Sequence, residues 1–191
     1  MEATQDLLWE QGYSATSPKD IMRRSGAGQG SMYHHFTNKQ ELAVVALECS
    51  AQSMRHDTEK LLATDGSAYE IATAYLRRQR DVLKGCRMGR MTFDADVLNT
   101  PELIEPVKRT FVWLLEALTV LFERGRDQGE FVADIDARNL ASLVVATVQG
   151  GYVLARATRD TDAFDAAVEG AAALLRKATV PLTTEVSDHS E

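Results

Sequence analysis

Between Thr16 and Lys39 the chain gathers side chains suited to a duplex polyanion. Gln29 and Ser31 carry donors and acceptors that match base edges, while Tyr33, His34 and His35 can reach phosphate oxygens. Gly30, between them, removes side-chain bulk where a backbone can approach DNA. From Ser17 to Lys39 four basic residues (Lys19, Arg23, Arg24, Lys39) oppose one acid, Asp20, an excess of three positive charges. The whole chain carries −7, so everything outside this span is acidic enough to repel a phosphate backbone. That contrast favours one docking face. Lys39 near a helix start opposes the helix dipole, which a phosphate partner explains better than stability does; a solvated lysine is the simpler alternative. The paired histidines have no Cys or carboxylate cluster beside them, so they do not read as a metal site.

Elsewhere the sequence offers little catalysis. Cys49 and Cys86 are far apart and in no metal-like spacing, which argues against a disulfide framework or structural zinc and fits a reducing compartment. No phosphate-binding glycine loop, dinucleotide fingerprint or nucleophile elbow occurs. Asp94 and Asp96 near Arg87 offer a small acid–base site, with solvated loop charge as the plainer reading. No enzyme, metal or cofactor is therefore expected.

The elements that must position these residues are helical. The chain has 191 residues, 45% hydrophobic and 26% charged, enough for a small domain joined to a larger one. Residues 1–12 read as a short amphipathic helix with Ala3, Leu7 and Leu8 inward, closed by Gly12. Ser17-Pro18-Lys19-Asp20 starts a second, Gly26-Ala27-Gly28 interrupts it, and a third covers about Gln29 to Phe36. Thr37 and Asn38 start a fourth, with Gln40 and Glu41 placed for a capping box and Leu42, Val45, Ala46 and Cys49 inward. After the punctuation at Thr64–Ser67, a helix is expected over Ala68–Lys84, and a short one around Met91–Leu98. Pro101 opens a long helix with Val107, Phe111, Leu114, Leu118, Leu121 and Phe122 as its inward stripe. Asp134 and Asp136 cap a helix to about Arg159, and Asp162 caps the last, Ala163–Ala178. The fold class is all-α, about nine helices, divided into 1–47 (a helix-turn-helix head), 48–178 (a larger helical unit) and 179–191 (a frayed tail). The opening residues lack the pattern of an export signal. The longest uncharged stretch, Asn139–Ala155, falls short of the ~20 apolar residues a membrane span needs. A cytoplasmic protein without membrane attachment is expected.

Two short helices around a glycine turn at Gly26–Gly28 have the proportions of a DNA-binding helix-turn-helix. The run Gly12-Tyr13-Ser14-Ala15-Thr16-Ser17-Pro18-Lys19-Asp20-Ile21, then Ser25 through Phe36, then Asn38-Lys39-Gln40-Glu41-Leu42, resembles the TetR family of transcriptional regulators. The nearest subgroup carries Thr-Ser-Pro and Tyr-His-His-Phe. The resemblance covers about a quarter of the chain with correct internal spacing. It implies that Thr16, Ser17, Tyr33, His35 and Lys39 hold phosphates, that Gln29 and Ser31 face bases, and that His34 lies at the groove edge. Met32 takes the family's Leu position. Gly28 stands where the family usually has a Ser or Thr cap, a change worth a few tenths of a kcal/mol. Members usually carry a further, often basic stretch before the helix that begins here at Glu2; a truncated or late start would weaken phosphate contacts and leave that helix a turn short.

The last two helices are apolar on more than one face. Leu140, Leu143, Val144 and Thr147 form one stripe, Ala141, Val145, Val148 and Tyr152 another, and Phe164, Ala167, Val168, Ala171, Leu174 and Leu175 line the last helix. A second stripe asks either for a central place in the monomer or for a partner. The resemblance implies a homodimer through these helices, reading a palindromic double-stranded operator with recognition helices roughly 34 Å apart or more. It also implies a small-molecule effector. Tyr75, Met91, Phe111, Trp113, Gln149 and Tyr152 could line its cavity, together with Met88 and Phe93, although each also reads as plain core. This mixture suggests a largely apolar ligand, whereas Arg87 and Arg90 would favour an acidic one. The expected function is a repressor released by such a ligand; a ligand-binding or adaptor protein with a degenerate DNA head is the alternative.

Overall fold

Nine helices lie among residues 1–28, 30 and 34–181, which the computed structural model describes. They are α1 (Glu2–Gln11), α2 (Pro18–Ser25), α3 (Lys39–Leu62), α4 (Ala68–Arg77), α5 (Arg87–Met91), α6 (Ala95–Asn99), α7 (Pro101–Asp127), α8 (Ala137–Thr158) and α9 (Asp162–Lys177). One antiparallel bridge, Phe131 with Thr179, is the only β pairing among the described residues. The all-α class agrees with the sequence reading. The third helix expected there, Gln29–Phe36, falls largely on Gln29, Ser31, Met32 and Tyr33, which lie outside the described residues, as does the tail from Leu182.

Caps written in the sequence set most of the helix starts. Ser17 and Asp20 form a reciprocal capping box on α2, with Pro18 in the first turn where its missing N–H costs nothing. Ser67 and Glu70 do the same for α4. Asn38 caps α3 by accepting from the Glu41 amide, while the Glu41 carboxylate reaches back to the Thr37 N–H at 2.7 Å. Gly26 ends α2 at φ 70°, a left-handed turn that a residue with a Cβ enters reluctantly.

Helix α3, 24 residues and therefore about 36 Å long, ties the three cores together. At its start Leu42 joins Leu7 and Ile21, with Met22 and Phe36 packed alongside. Further along, Ala43, Ala46 and Leu47 meet Leu8, Met88, Met91, Val97, Leu103 and Val107. Its last turn packs Leu61 and Leu62 against the main core, which α4, α7, α8 and α9 build. In that core Leu114, Leu118, Leu121 and Phe122 of α7 are buried, contributing about 1.5–3 kcal/mol each. Gly151 lets α8 and α9 approach closely, since a Cβ there would sit 2.7 Å from the Phe164 ring.

Several expectations are corrected. The helix expected over Ala68–Lys84 stops at Arg77, because Arg80 folds back and donates to the carbonyls of Tyr75, Leu76 and Arg78, capping the helix end with a side chain. The single short helix around Met91–Leu98 is two, α5 and α6, separated where Asp94 caps α6. On α3 the buried stripe is Leu42, Ala43, Ala46 and Leu47; Val45 is exposed and Cys49 only half-buried. Thr4 rather than Ala3 is buried on α1. Asp162 does not cap α9: Thr161 precedes the helix without a side-chain bond, and the Asp160 carboxylate accepts from the Asp162 amide. Thr179 and Val180 are held rather than frayed, Val180 donating to the Glu130 carbonyl at 2.8 Å.

Candidate nucleic-acid interface and ligand cavity

The head presents α2 and the segment that follows it. Lys19 and Arg23 are exposed on α2, Arg23 bonded to Asp20 at 2.6 Å with its side chain 77% exposed. Arg24 is taken up by Glu10 at 2.7 Å. Gly30, His34 and His35 are exposed on the same segment, and the two imidazole centroids lie 4.9 Å apart. Gln29, Ser31 and Tyr33, assigned to bases and phosphate from the sequence, lie outside the described residues.

Thr16 and Ser17 sit differently from the expectation. Thr16 is buried at 1% exposure, its hydroxyl donating to the Gly12 carbonyl at 2.6 Å and its amide to the Tyr13 carbonyl. Its donors hold the turn before α2 and leave none for a phosphate. Ser17 is spent in the capping box: its hydroxyl and amide both donate to the Asp20 carboxylate, at 2.6 and 3.1 Å. Those bonds, with Arg23 assisting, keep the Asp20 carboxyl below the usual carboxylate range. Lys39 is half-buried, its ammonium 3.9 Å from the centre of the Tyr13 ring. Burial lowers its pKa against the opposing pull of Asp96 and Asp94.

Those two acids form the joint between head and body. The Ser14 amide and hydroxyl both donate to Asp94, at 2.8 and 2.5 Å, and the hydroxyl also reaches Asp96 at 2.9 Å. Partial burial raises the Asp94 pKa, but the Ser14 hydrogen bonds outweigh it and hold the carboxyl below its ordinary value. Gly12 is confined here as well, at φ 86° with a Cβ position 2.9 Å from the Asp94 carboxylate. Asp94 and Asp96 thus fix the turn that leads into α2, a structural task in place of the acid–base one.

A cavity of about 700 Å³ opens between α1, α3 and the Arg78–Met88 segment. Trp9 of the head forms part of its wall, its indole N–H donating to the Gly85 carbonyl at 2.9 Å and its ring stacked under the Arg87 guanidinium at 4.1 Å. Arg78, Arg80, Cys86 and Tyr152 line the side nearer the body. Burial pushes the Tyr152 phenol up to about 12, with Arg80 pulling the other way.

Of the eight residues expected to line a cavity, Tyr152 and Met88 border this one, and Phe93 is 75% exposed on the surface. Trp113 borders a separate groove of about 300 Å³ between α3 and α7, under the Arg55 guanidinium at 4.7 Å. Tyr75 and Met91 are core residues, and Phe111 is wedged between the two larger cores. Gln149 packs over Gly89, whose absent side chain leaves room for the amide: a Cβ would lie 2.3 Å from its Oε1. Sequence reasoning missed Trp9, Arg78 and Arg80. The cluster Arg77-Arg78-Gln79-Arg80, three cations inside the stretch read as one helix, was the available signal.

Comparison with known proteins completes the picture. Residues 1–46 match the family described as bacterial regulatory proteins of the tetR family, and residues 66–171 match the tetracyclin repressor-like C-terminal domain. The chain is 24% identical over 178 residues to the uncharacterized HTH-type transcriptional regulator YxaF of Bacillus subtilis, covering 90% of each. It is 25% identical to the HTH-type transcriptional repressor ComR of Escherichia coli, covering 82% of this chain and 77% of the relative. A TetR transcriptional regulator from Chloroflexus aurantiacus superposes with a TM-score of 0.83 at 27% identity over 93% of both chains. The FadR regulator of Bacillus subtilis, crystallised with stearoyl-CoA, shares the fold at a TM-score of 0.71 and 16% identity, over 93% of this chain and 96% of its own. The relatives are regulators, not enzymes. With a helix-turn-helix head and a helical body both matched, the chain belongs to the TetR family of DNA-binding transcriptional regulators.

Proposed function

We propose that this regulator is a cytoplasmic repressor that grips a palindromic operator as a homodimer and lets go when a small molecule fills the cavity beside Trp9. In this reading residues 1–47 form the head and 48–178 the ligand-binding and dimerisation body. Gln29 and Ser31 read bases, while Tyr33, His34, His35 and Lys39, joined by Lys19 and Arg23, hold phosphates. Thr16 and Ser17 serve by shaping the turn and capping α2. The homodimer forms through a strip of exposed small and apolar residues on α8 (Ala146, Gly150, Val153, Leu154) and its neighbour on α9 (Ala166, Gly170, Ala173, Leu174). Such a strip beside a packed core is a surface that wants a partner.

The observation that carries the reading is the placement of the cavity. Its wall is part head, through Trp9, and part body, through Arg87 and Met88 of α5. Three residues past α5 begins the Asp94–Asp96 link that holds Ser14, two residues before Thr16. A ligand that shifts α5 therefore shifts the turn into α2, and release follows if it binds one head position better than the other. FadR with stearoyl-CoA is a neighbour of this fold that takes a small molecule.

A salt titration tests the DNA half. Fluorescence anisotropy with an arbitrary 30-base-pair duplex should give a Kd of about 10⁻⁴–10⁻⁶ M near physiological salt, tightening at lower salt. Lys19→Ala and Arg23→Ala should each reduce the slope of log K against log salt by about one. Binding that is absent at low salt, or indifferent to both substitutions, contradicts the proposed face.

A further inference from the structure

The charges around the cavity are unevenly disposed. Its carboxylates, Glu2, Asp57 and Asp81, are all solvent-exposed, whereas Arg78 and Arg80 are half-buried beside Tyr152. Arg87, on the same wall, has its own counter-ion in Asp6 at 3.0 Å. Arg78 and Arg80 bond to neutral groups instead. Arg78 donates to the Thr58 hydroxyl at 3.2 Å and lies over the Tyr75 ring. The two terminal nitrogens of Arg80 donate to backbone carbonyls of Tyr75, Leu76 and Arg78, and its Nε is buried with no partner at all. The end of α4 contributes only the partial negative charge of a helix C-terminus. Burial lowers the Arg80 pKa, and Arg78 pushes it in the same direction.

Two neighbouring guanidiniums, half out of water and answered by backbone dipoles, a hydroxyl and aromatic faces but by no carboxylate, are expensive to keep unless a counter-ion arrives from outside. Guanidinium is also the side chain best matched to a carboxylate, through paired, charge-assisted hydrogen bonds. The remaining wall mixes the polar Gln5, Ser53 and Gln79 with apolar surface from Met54 and the face of Trp9, both half-buried. A volume of about 700 Å³ is that of a drug-sized ligand site. We infer that the cavity takes a small organic anion, its carboxylate held between Arg78 and Arg80 and its apolar body resting on Trp9 and Met54. The inference rests on the effector reading above and narrows it, choosing the acidic ligand over the largely apolar one.

Calorimetric titration of the full chain with three matched probes tests it: naphthoate, naphthalenemethanol and naphthylmethylammonium. Naphthoate should bind roughly tenfold or more tighter than the alcohol, as a charge-assisted contact predicts, and the ammonium should bind worst. Arg80→Gln and Arg78→Gln should bring naphthoate to within about twofold of the alcohol while alcohol binding persists. Should Arg80→Gln fail to fold because it uncaps α4, Arg78→Gln decides alone. Equal binding of acid and alcohol, preference for the ammonium, or a preference for naphthoate that survives Arg78→Gln would each overturn the anion assignment and leave the effector cavity standing. Failure of all three probes to bind would overturn both.

Discussion

Gly150 and Gly151 are neighbours on α8 with opposite surroundings. A Cβ at Gly151 would lie 2.7 Å from Phe164, whereas one at Gly150 would meet nothing within 4 Å. An arginine at position 150 therefore leaves the protomer's core untouched and projects from the middle of the strip proposed as the dimer contact. That strip includes Val153 and Leu154, both 51% exposed, and lies beside Leu174, 56% exposed. Full burial of such a side chain is worth about 1.5–3 kcal/mol, so burying the exposed half yields about 0.8–1.5. Six of them in a two-fold contact contribute about 5–9 kcal/mol, against an association cost of about 4–15 kcal/mol. The margin is narrow, and small side chains must close it by tight approach. A charged side chain in each copy, desolvated without a partner, costs several kcal/mol. Taking only about 2 kcal/mol per copy, Gly150→Arg raises the dimer Kd about a thousandfold. Sedimentation velocity over a concentration series measures this, with circular dichroism melting as the check on folding. The wild type should run at twice 21.1 kDa and the variant at 21.1 kDa with an unchanged melt. A variant that dimerises as tightly as wild type, or a wild type that stays monomeric at tens of micromolar, would refute the reasoning.

Three further outcomes follow from the same structure. Gly151→Ala should be folded less stably than wild type, because Phe164 must move, and chemical denaturation should show the loss while Gly150→Ala shows none. Glu130→Ala removes the carboxylate that accepts from the first two amides of α4, at 2.8 and 2.7 Å; a loss of about 2–4 kcal/mol, or roughly 5–15 °C in Tm, is expected, and a drop under about 2 °C would contradict it. Asp94→Asn keeps the cap on α6 but weakens the bonds from Ser14. Because the folded pKa of Asp94 is depressed, its stabilisation is present above the unfolded value of about 3.9 and is lost as pH falls through the folded one. The Tm gap between wild type and Asp94→Asn should thus be full at pH 7 and close below about pH 4; a gap that stays constant to pH 3 would count against the link.

What could be read from the sequence was local or periodic. The capping box at Ser17 and Asp20, the αL glycine at Gly26 and the stripe from Val107 to Phe122 each depend on residues within a few turns of one another. The end of α4 depends on something else. No Gly or Pro interrupts Ala68–Lys84, and the helix stops because Arg80 outcompetes the next turn for its carbonyls. The same tertiary choice hid the cavity, since Arg78, Arg80 and Tyr152 meet Trp9 only after that segment unwinds. Burial was misjudged where apolar character and packing part company. Val45 is apolar but faces out of α3, and Thr16, polar and assigned to DNA, is buried to hold a turn.

The central claim is that this chain reads a two-fold DNA site. Incubating the purified protein with fragments of its source genome at two salt concentrations, then sequencing what is retained, tests that claim most directly. The account predicts one enriched palindromic motif with half-sites one helical turn or more apart, retained at the higher salt while bulk DNA is lost. Retention of fragments with no shared motif, or of a single unpaired half-site, would contradict it.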